Sequence, residues 1–241
     1  MVENIFYGMT EDAIRQRVVD TALSLLGIKE GSAGHKKIID TYNTGLPKLP
    51  RGYKLSYNDP WCAATMSYIG INLGISDVIL PEVGCAPMIE LYRKAGRWME
   101  ADDYVPKPGD LVMYDWDAQR GECTGAPDHV GMVISVDGKT ITVVEGNYDN
   151  QVKTREICVE YIKTRGFCCP DYGALVQGFS DVPPGSWCAD EINRAAELGL
   201  MVGYGDGTFN PNGAITMAQT VAVAARIHAI AAAGAESFVQ G

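Results

Sequence analysis

The chain has 241 residues, of which 46% are hydrophobic and 21% are charged, a composition that fits one large or two modest globular domains and excludes a mainly disordered protein. Its 20 lysines and arginines stand against 30 aspartates and glutamates, and this formal net charge of −10 argues against nucleic acid or an anionic membrane as a partner. The longest apolar stretches fall short of the ~20 residues that a membrane-spanning helix needs.

The N-terminus and the cysteines bear on the compartment of synthesis. The first residues carry neither the basic region nor the apolar region of a signal peptide. The seven cysteines are an odd number and include no Cys-x-x-Cys pair, which argues against a disulfide framework and against a structural zinc site. We therefore expect a protein made in the cytoplasm without a signal peptide, with its cysteines reduced.

The first hundred residues predict helices separated by loops. Thr10 suits the N-cap of the first helix and Gly27 its end, since the apolar side chains between them fall on one face. The predicted helices cover residues 10–27, 36–42, 59–72 and 87–95. For the third of these, Asn58 or Asp59 is the expected cap and Pro60 the expected first residue.

The pattern changes after residue 106 to short β-rich runs separated by turn residues. The predicted strands cover residues 111–114, 130–136, 140–145 and 152–161. Helices followed by a meander of strands predict an α+β fold for residues 1–177. Residues 178–241 return to helices at 187–198 and 216–232, where Thr216 and Gln219 form a capping-box pattern. We expect these two segments to be separate domains.

Cys62 is the first candidate for chemistry. It falls in the first turn of a predicted helix, where backbone N–H groups and the helix dipole stabilise a thiolate. The structural alternative is a small buried hydrophobic residue behind Trp61, which is a common role for a free cysteine.

Three histidines could supply a base for Cys62. His228 lies in an alanine-rich helix as a surface or packing residue, and His35 lies beside two lysines in a loop-rich region, where we expect it to be solvated. His129 begins a strand, a rigid position from which its ring can be aimed at a neighbouring helix.

The group that would orient His129 depends on the register of the following hairpin. A two-residue turn at Asp137 and Gly138 pairs His129 with Gly146 and turns Glu145 to the other face. A three-residue loop, or a bulge, places Glu145 on the face of His129 with Asn147 beside it. Because the strand is apolar on both faces, its sequence leaves the two alternatives open.

Four motifs together resemble the CHAP family, the cysteine- and histidine-dependent amidohydrolases and peptidases. They are residues 58–64 (NDPWCAA), 107–114 (KPGDLVMY), 127–133 (PDHVGMV) and 141–147 (ITVVEGN). The resemblance covers about residues 10–175 and implies a papain-like fold, with N-terminal helices packed on an antiparallel sheet. It also implies Cys62 as nucleophile, His129 as base, and Glu145 and Asn147 as the orienting pair.

Some CHAP domains hold calcium in an acidic loop. Asp115 and Asp117 begin such a loop here, but Arg120 and Cys123 stand where further oxygen ligands would be needed. We therefore expect no metal ion and no cofactor.

Residues 178 to about 230 resemble a single S-layer homology repeat, on residues 179–182 (FSDV), 203–211 (GYGDGTFNP) and 215–216 (IT). Such repeats bind secondary cell-wall polysaccharide. The expected Thr-Arg-Ala-Glu motif reads Thr216-Met217-Ala218-Gln219, which removes a charge-assisted contact. The candidate wall-binding residues are Trp187, Tyr204, Asp206 and Thr216.

Because sister repeats are missing, residues 178–241 are also expected to mediate homo-oligomer formation or to pack on the first domain.

The function expected from these resemblances is hydrolysis of an amide bond in bacterial peptidoglycan, by an N-acetylmuramoyl-L-alanine amidase or an endopeptidase. A phage or prophage endolysin, released to the cell wall at lysis, fits the expected absence of a signal peptide. The alternatives are a papain-like peptidase that acts on proteins and a non-catalytic wall-binding protein.

Overall fold

The computed structural model describes residues 5–101, 104–118, 125–158 and 160–239, which form two compact units. One unit is formed by residues 15–172. The other contains residues 173–239 together with residues 5–14. The first residues of the chain thus group with the C-terminal segment, an association for which the sequence carries no signal.

Helices α2 (Ala33–Thr44), α3 (Cys62–Asn72) and α4 (Cys85–Lys94) lie on one side of the larger unit, and α1 (Glu11–Leu23) enters this unit at residue 15. All four predicted helices are present. Helix α2 begins three residues before the predicted start because the Ser32 side chain accepts a hydrogen bond from the backbone N–H of His35. Helix α3 is apolar around most of its circumference and is buried from Cys62 to Gly70, as expected for a helix inside the core.

The other side is a six-stranded antiparallel sheet in the order β1-β6-β2-β3-β4-β5. Its strands are β1 (Trp98–Glu100), β2 (Leu111–Tyr114), β3 (His129–Asp137), β4 (Thr140–Tyr148), β5 (Gln151–Cys158) and β6 (Thr164–Cys168). Helix α3 packs against β3 and β4. This arrangement confirms the α+β prediction, although β1 and β6 were not predicted and β5 ends three residues early.

The β3–β4 hairpin has a register that neither predicted loop describes. Asp137 pairs with Thr140, so the turn consists of Gly138 and Lys139, and Gly138 has a φ of 57°. The register then shifts by one residue between Val133 and Ser135. This bulge is the alternative that the sequence left open, and it changes which side chains share a face.

The smaller unit contains α5 (Ala189–Glu197) and α6 (Met217–Val239). The N–H of Gly8 donates to the carbonyl of Gln177 at 2.7 Å, and the ring of Tyr7 stacks on Phe179. The capping box predicted for α6 is present, since Thr216 and Gln219 exchange backbone and side-chain hydrogen bonds. Within the described ranges, no helix combines the length and the apolar character needed to cross a bilayer.

Candidate active site

Cys62 is the first residue of α3 and is 5% exposed. The predicted cap was wrong, because Trp61 occupies the N-cap position and makes no side-chain capping bond. Asp59 instead accepts a hydrogen bond from the N–H of Ser56 at 2.7 Å, and Pro60 precedes the helix. An N-terminus without a side-chain cap leaves backbone N–H groups free to stabilise negative charge on Cys62.

His129 and Glu145 lie on the same face of the hairpin and contact each other directly. The His129 Nε2 atom is 3.1 Å from Glu145 Oε2, and since the carboxylate can only accept, Nε2–H is the donor. Glu145 is fully buried, and His129 is 9% exposed. Because this bond occupies Nε2, the other ring nitrogen, Nδ1, is the one available to exchange a proton with Cys62.

The charges in this cluster reinforce one another. Hydrogen bonding from Cys85, followed by His129 and the N–H of Ala63, holds the pKa of the Cys62 thiol well below its usual range despite burial. Burial lowers the pKa of His129, but the Cys62 thiolate and the Glu145 carboxylate outweigh burial and raise it to about 9. A thiolate–imidazolium pair is therefore the favoured charge state near neutral pH.

Two glycines allow these side chains to approach. A Cβ at Gly146 would collide with the Oγ1 atom of Thr65 on α3, so glycine lets β4 pack closely on the helix that carries Cys62. A Cβ at Gly131 would lie 2.7 Å from Cγ of Glu145. The absence of a side chain at Gly131 therefore leaves room for Glu145 to reach His129.

Asn147 lies close in sequence to Glu145 but does not bond to His129. Its φ of 59° places it in the left-handed region, where the β4–β5 register shifts between Glu145 and Tyr148. Its side chain is half-buried and forms no hydrogen bond with the described residues. Of the two orienting candidates, Glu145 is the one in contact with His129.

Arg155 is a site residue that the sequence analysis missed. It lies on β5 opposite Val143, and its guanidinium donates two hydrogen bonds to Glu145, at 2.7 and 3.0 Å. Asp149 and Asn150 both have positive φ, which is the signature of a two-residue hairpin turn. That turn alone would pair Arg155 with Val144 and turn it away from Glu145. The register shift between Glu145 and Tyr148, which no sequence pattern marks, places Arg155 on the face of Glu145.

An aromatic wall flanks His129. The ring of Tyr114 stacks on Trp116 with centroids 4.8 Å apart, and each ring lies 5.9 Å from the His129 ring. The guanidinium of Arg155 lies 5.3 Å from the Trp116 ring and 4.2 Å from the Tyr148 ring. Trp116 is partly exposed, so this wall offers substrate an apolar surface beside the imidazole.

The other two histidines have no part in this cluster. The expectation that His35 is solvated was wrong: His35 is fully buried, its ring lies 4.9 Å from that of Trp61, and its Nδ1 accepts the N–H of Gly31. Burial lowers its pKa and favours a neutral ring that packs behind α3. His228 is exposed on α6.

The acidic loop after β2 lies partly within the described residues. Asp115 is buried, and its Oδ1 atom accepts the N–H of Asp117 at 3.0 Å. Arg120 and Cys123 lie outside the described residues. Across the described part of the chain, no group of three or more histidine, cysteine, aspartate or glutamate side chains is arranged to hold a metal ion.

The four candidate wall-binding residues are all at or near the surface of the smaller unit. Trp187 is 87% exposed and Tyr204 is 55% exposed. The carboxylate of Asp206 accepts hydrogen bonds from Thr208, and the hydroxyl of Thr216 accepts the N–H of Gln219. The two aromatic side chains are thus exposed to a ligand. The Asp206 side chain already bonds within a turn, and that of Thr216 already caps α6.

Known family models match part of each unit. Residues 52–147 match the family model described as CHAP domain, and residues 178–220 match that of the S-layer homology domain. A "Cell surface protein" of Thermoanaerobacter kivui is 44% identical over 48 residues, which are 20% of this chain and only 6% of that protein.

Two solved structures also resemble the chain. "The crystal structure of Ly7917 with the hydrolyzing product of MDP" is 16% identical, covers 67% of this chain and 63% of its own, and has a TM-score of 0.37. "The crystal structure of Ly7917" is 18% identical, covers 56% of this chain and 61% of its own, and has a TM-score of 0.30. The chain thus spans less than two thirds of either.

Proposed function

We propose that this chain, which contains a CHAP domain and an S-layer homology domain, hydrolyses an amide bond of bacterial peptidoglycan with Cys62 as the nucleophile. The observation that carries the proposal is the geometry of one cluster. A thiol at an N-terminus without a side-chain cap faces an imidazole whose other nitrogen bonds to a buried carboxylate. The CHAP match includes Cys62, His129, Glu145 and Asn147.

The first half of the reaction is acylation of Cys62. The thiolate attacks the carbonyl carbon of the scissile amide, and free N–H groups at the start of α3 stabilise the oxyanion that forms. The His129 imidazolium then donates its Nδ1 proton to the leaving amine, because expulsion of an unprotonated amine is too costly. The products of this half are a free amine and a thioester at Cys62.

The second half is hydrolysis of the thioester. Neutral His129 takes a proton from water, which attacks the thioester carbonyl and releases the carboxylic acid and the Cys62 thiolate. Glu145 holds the Nε2–H tautomer throughout and stabilises the imidazolium. Asn147 is proposed to support this end of the hairpin, since its left-handed backbone lies where the β4–β5 register shifts.

The S-layer homology domain is proposed to hold the enzyme at the cell wall by binding secondary cell-wall polysaccharide. Exposed Trp187 and Tyr204 provide flat apolar surfaces of the kind that stack on sugar rings. Asp206 and Thr216 are proposed to support that surface through the turn and the cap that they stabilise. Peptidoglycan would then be the substrate and the polysaccharide the anchor.

Digestion of purified sacculi, followed by mass spectrometry of the released fragments, tests the proposal. We expect new amine and carboxyl ends at one type of amide bond, either between muramic acid and L-alanine or within the peptide. Cys62→Ala is the matched control and should release nothing while it keeps the fold. Release by Cys62→Ala equal to that of the unchanged protein, or cleavage of casein in preference to sacculi, would contradict the proposal.

A further inference from the structure

Cys85 lies in the proposed active site, where its hydrogen bond lowers the pKa of Cys62, yet no step of the proposed mechanism changes its own thiol. Its Sγ atom is 3.9 Å from Sγ of Cys62, and both cysteines are free. Cys85 is the first residue of α4, as Cys62 is of α3, and the two are 23 positions apart in the sequence. No other cysteine among the described residues forms a hydrogen bond with Cys62.

We propose that Cys62 and Cys85 form an oxidative modification site, at which hydrogen peroxide converts the two thiols into a disulfide. Peroxides react with cysteines that carry thiolate character, and a second thiol within reach then traps the oxidised sulfur. Cys62 supplies the first property and Cys85 the second. The loss of hydrolysis that follows rests on the proposed function, whereas formation of the disulfide does not.

The first step oxidises Cys62. Its thiolate attacks one peroxide oxygen, so that an S–O bond forms and the O–O bond breaks. The sulfur loses two electrons to the peroxide, and the departing hydroxide takes the proton of the His129 imidazolium to become water. The site then holds Cys62 as a neutral sulfenic acid beside neutral His129.

The second step joins the two sulfurs. The pKa of Cys85 is raised by its hydrogen bond to the Cys62 thiolate, by burial and by the charges of Cys62, Asp128 and Cys168. Conversion of Cys62 to a neutral sulfenic acid removes the largest of these causes and leaves His129 able to accept a proton. Cys85 sulfur then attacks Cys62 sulfur, an S–S bond forms, the S–O bond breaks, and the Cys85 proton leaves with the hydroxyl group as water.

The geometry requires only a small movement. The two sulfur atoms must approach from 3.9 Å to about 2.05 Å. Both residues lie in the first turns of their helices, and Gly84 precedes Cys85 at the N-cap of α4. The movement falls on these two helix ends and not on the strand that carries His129.

The test treats the full, reduced chain with hydrogen peroxide and follows three readouts. The expected results are a mass loss of two hydrogens, a Cys62–Cys85 crosslink in the non-reduced peptide map, and activity on sacculi that dithiothreitol restores. Cys85→Ala and Cys85→Ser should instead accumulate a Cys62 sulfenic acid that reacts with dimedone. Cys158→Ala, which changes an exposed cysteine on β5, is the matched control and should still form the crosslink.

The outcomes separate this inference from the proposed function. A Cys62–Cys85 crosslink in a protein without activity on sacculi would leave the modification site in place and contradict the proposed function. Active protein whose mass rises by oxygen atoms, or whose peptide map joins Cys62 to another cysteine, would overturn the modification site. Dimedone labelling of the unchanged protein as strong as that of Cys85→Ser would overturn it too.

Discussion

Arg155 donates to both oxygens of the Glu145 carboxylate, from Nε to Oε1 at 2.7 Å and from a terminal nitrogen to Oε2 at 3.0 Å. Glu145 Oε2 also receives the His129 bond, so one buried carboxylate connects a permanent cation to the His129 imidazole. The bidentate contact fixes the Glu145 rotamer, and with it the direction from which His129 is held.

Removing this support should slow the reaction more than it weakens substrate binding. For Arg155→Met we expect kcat to fall roughly tenfold, equivalent to ~1.4 kcal/mol, with KM nearly unchanged. The side chain is 23% exposed, so the stability loss should be on the order of 1–2 kcal/mol, below that of a fully buried pair. Arg155→Lys keeps the charge but loses the bidentate contact, so its kcat should lie between those of the unchanged protein and Arg155→Met. Kinetics and urea unfolding measure both effects, and an unchanged kcat in Arg155→Met would remove Arg155 from this role.

The pH dependence follows from the His129 imidazolium. Its pKa is raised from 6.5 to about 9, so activity should fall as the pH rises through about 9, where the proton needed by the leaving amine is lost. The free energy of unfolding should change with pH in the same direction. The stabilisation by charged His129 is complete below about pH 6.5 and is lost as the pH rises through about 9.

Glu145→Gln tests the cause of that raised pKa. Glutamine can still bond to His129 but carries no charge, so the basic limb of the kcat/KM profile should move to lower pH. The measurement is a rate profile of both proteins on soluble peptidoglycan fragments. A basic limb that stays at its original pH in Glu145→Gln would mean that the carboxylate does not stabilise the imidazolium.

Asn147 should contribute less than Glu145, because it does not touch His129. Glycine accepts the φ of 59° without strain, so Asn147→Gly should keep kcat within roughly threefold, whereas Glu145→Gln should lose about tenfold or more. Asn147→Val, which strains the backbone by ~1–2 kcal/mol, controls for loop geometry. A loss in Asn147→Gly as large as in Glu145→Gln would give the orienting role to the amide.

The sequence predicted the elements of this site better than their register. Cys62 at a helix start and His129 at a strand start follow from local patterns, and both are where they were expected. The bulge near Val133 lies in a strand with apolar residues on both faces, so no alternation marks it. Strand β6 (TRGFC) was missed because arginine and glycine interrupt its pattern, and the burial of His35 depends on Trp61, a contact that local sequence cannot show.

The exposed apolar face of α6 supports the expected homo-oligomer. Val221 is 61% exposed and Ile227 is 51% exposed, although both lie on a helix of a globular unit. If this face joins copies of the chain, Val221→Asp with Ile227→Asp should lower the sedimentation coefficient at a given concentration. Ala229→Asp, an exposed position ~140° around the helix from the middle of this face, is the control for charge alone. A monomer at all concentrations for the unchanged protein would end this proposal.

Met217 occupies the position where the S-layer motif has an arginine, and it is 79% exposed at the first residue of α6. A guanidinium there could form a bidentate bond with a carboxylate of the wall polysaccharide, which methionine cannot. We therefore expect Met217→Arg to bind purified wall polysaccharide more tightly, by roughly tenfold for ~1.4 kcal/mol. The gain should shrink as salt increases, because exposed charge pairs are screened.

Met217→Gln, a neutral change of similar size, should show neither effect. Equal gains from arginine and glutamine would mean that a polar contact, rather than charge, was missing.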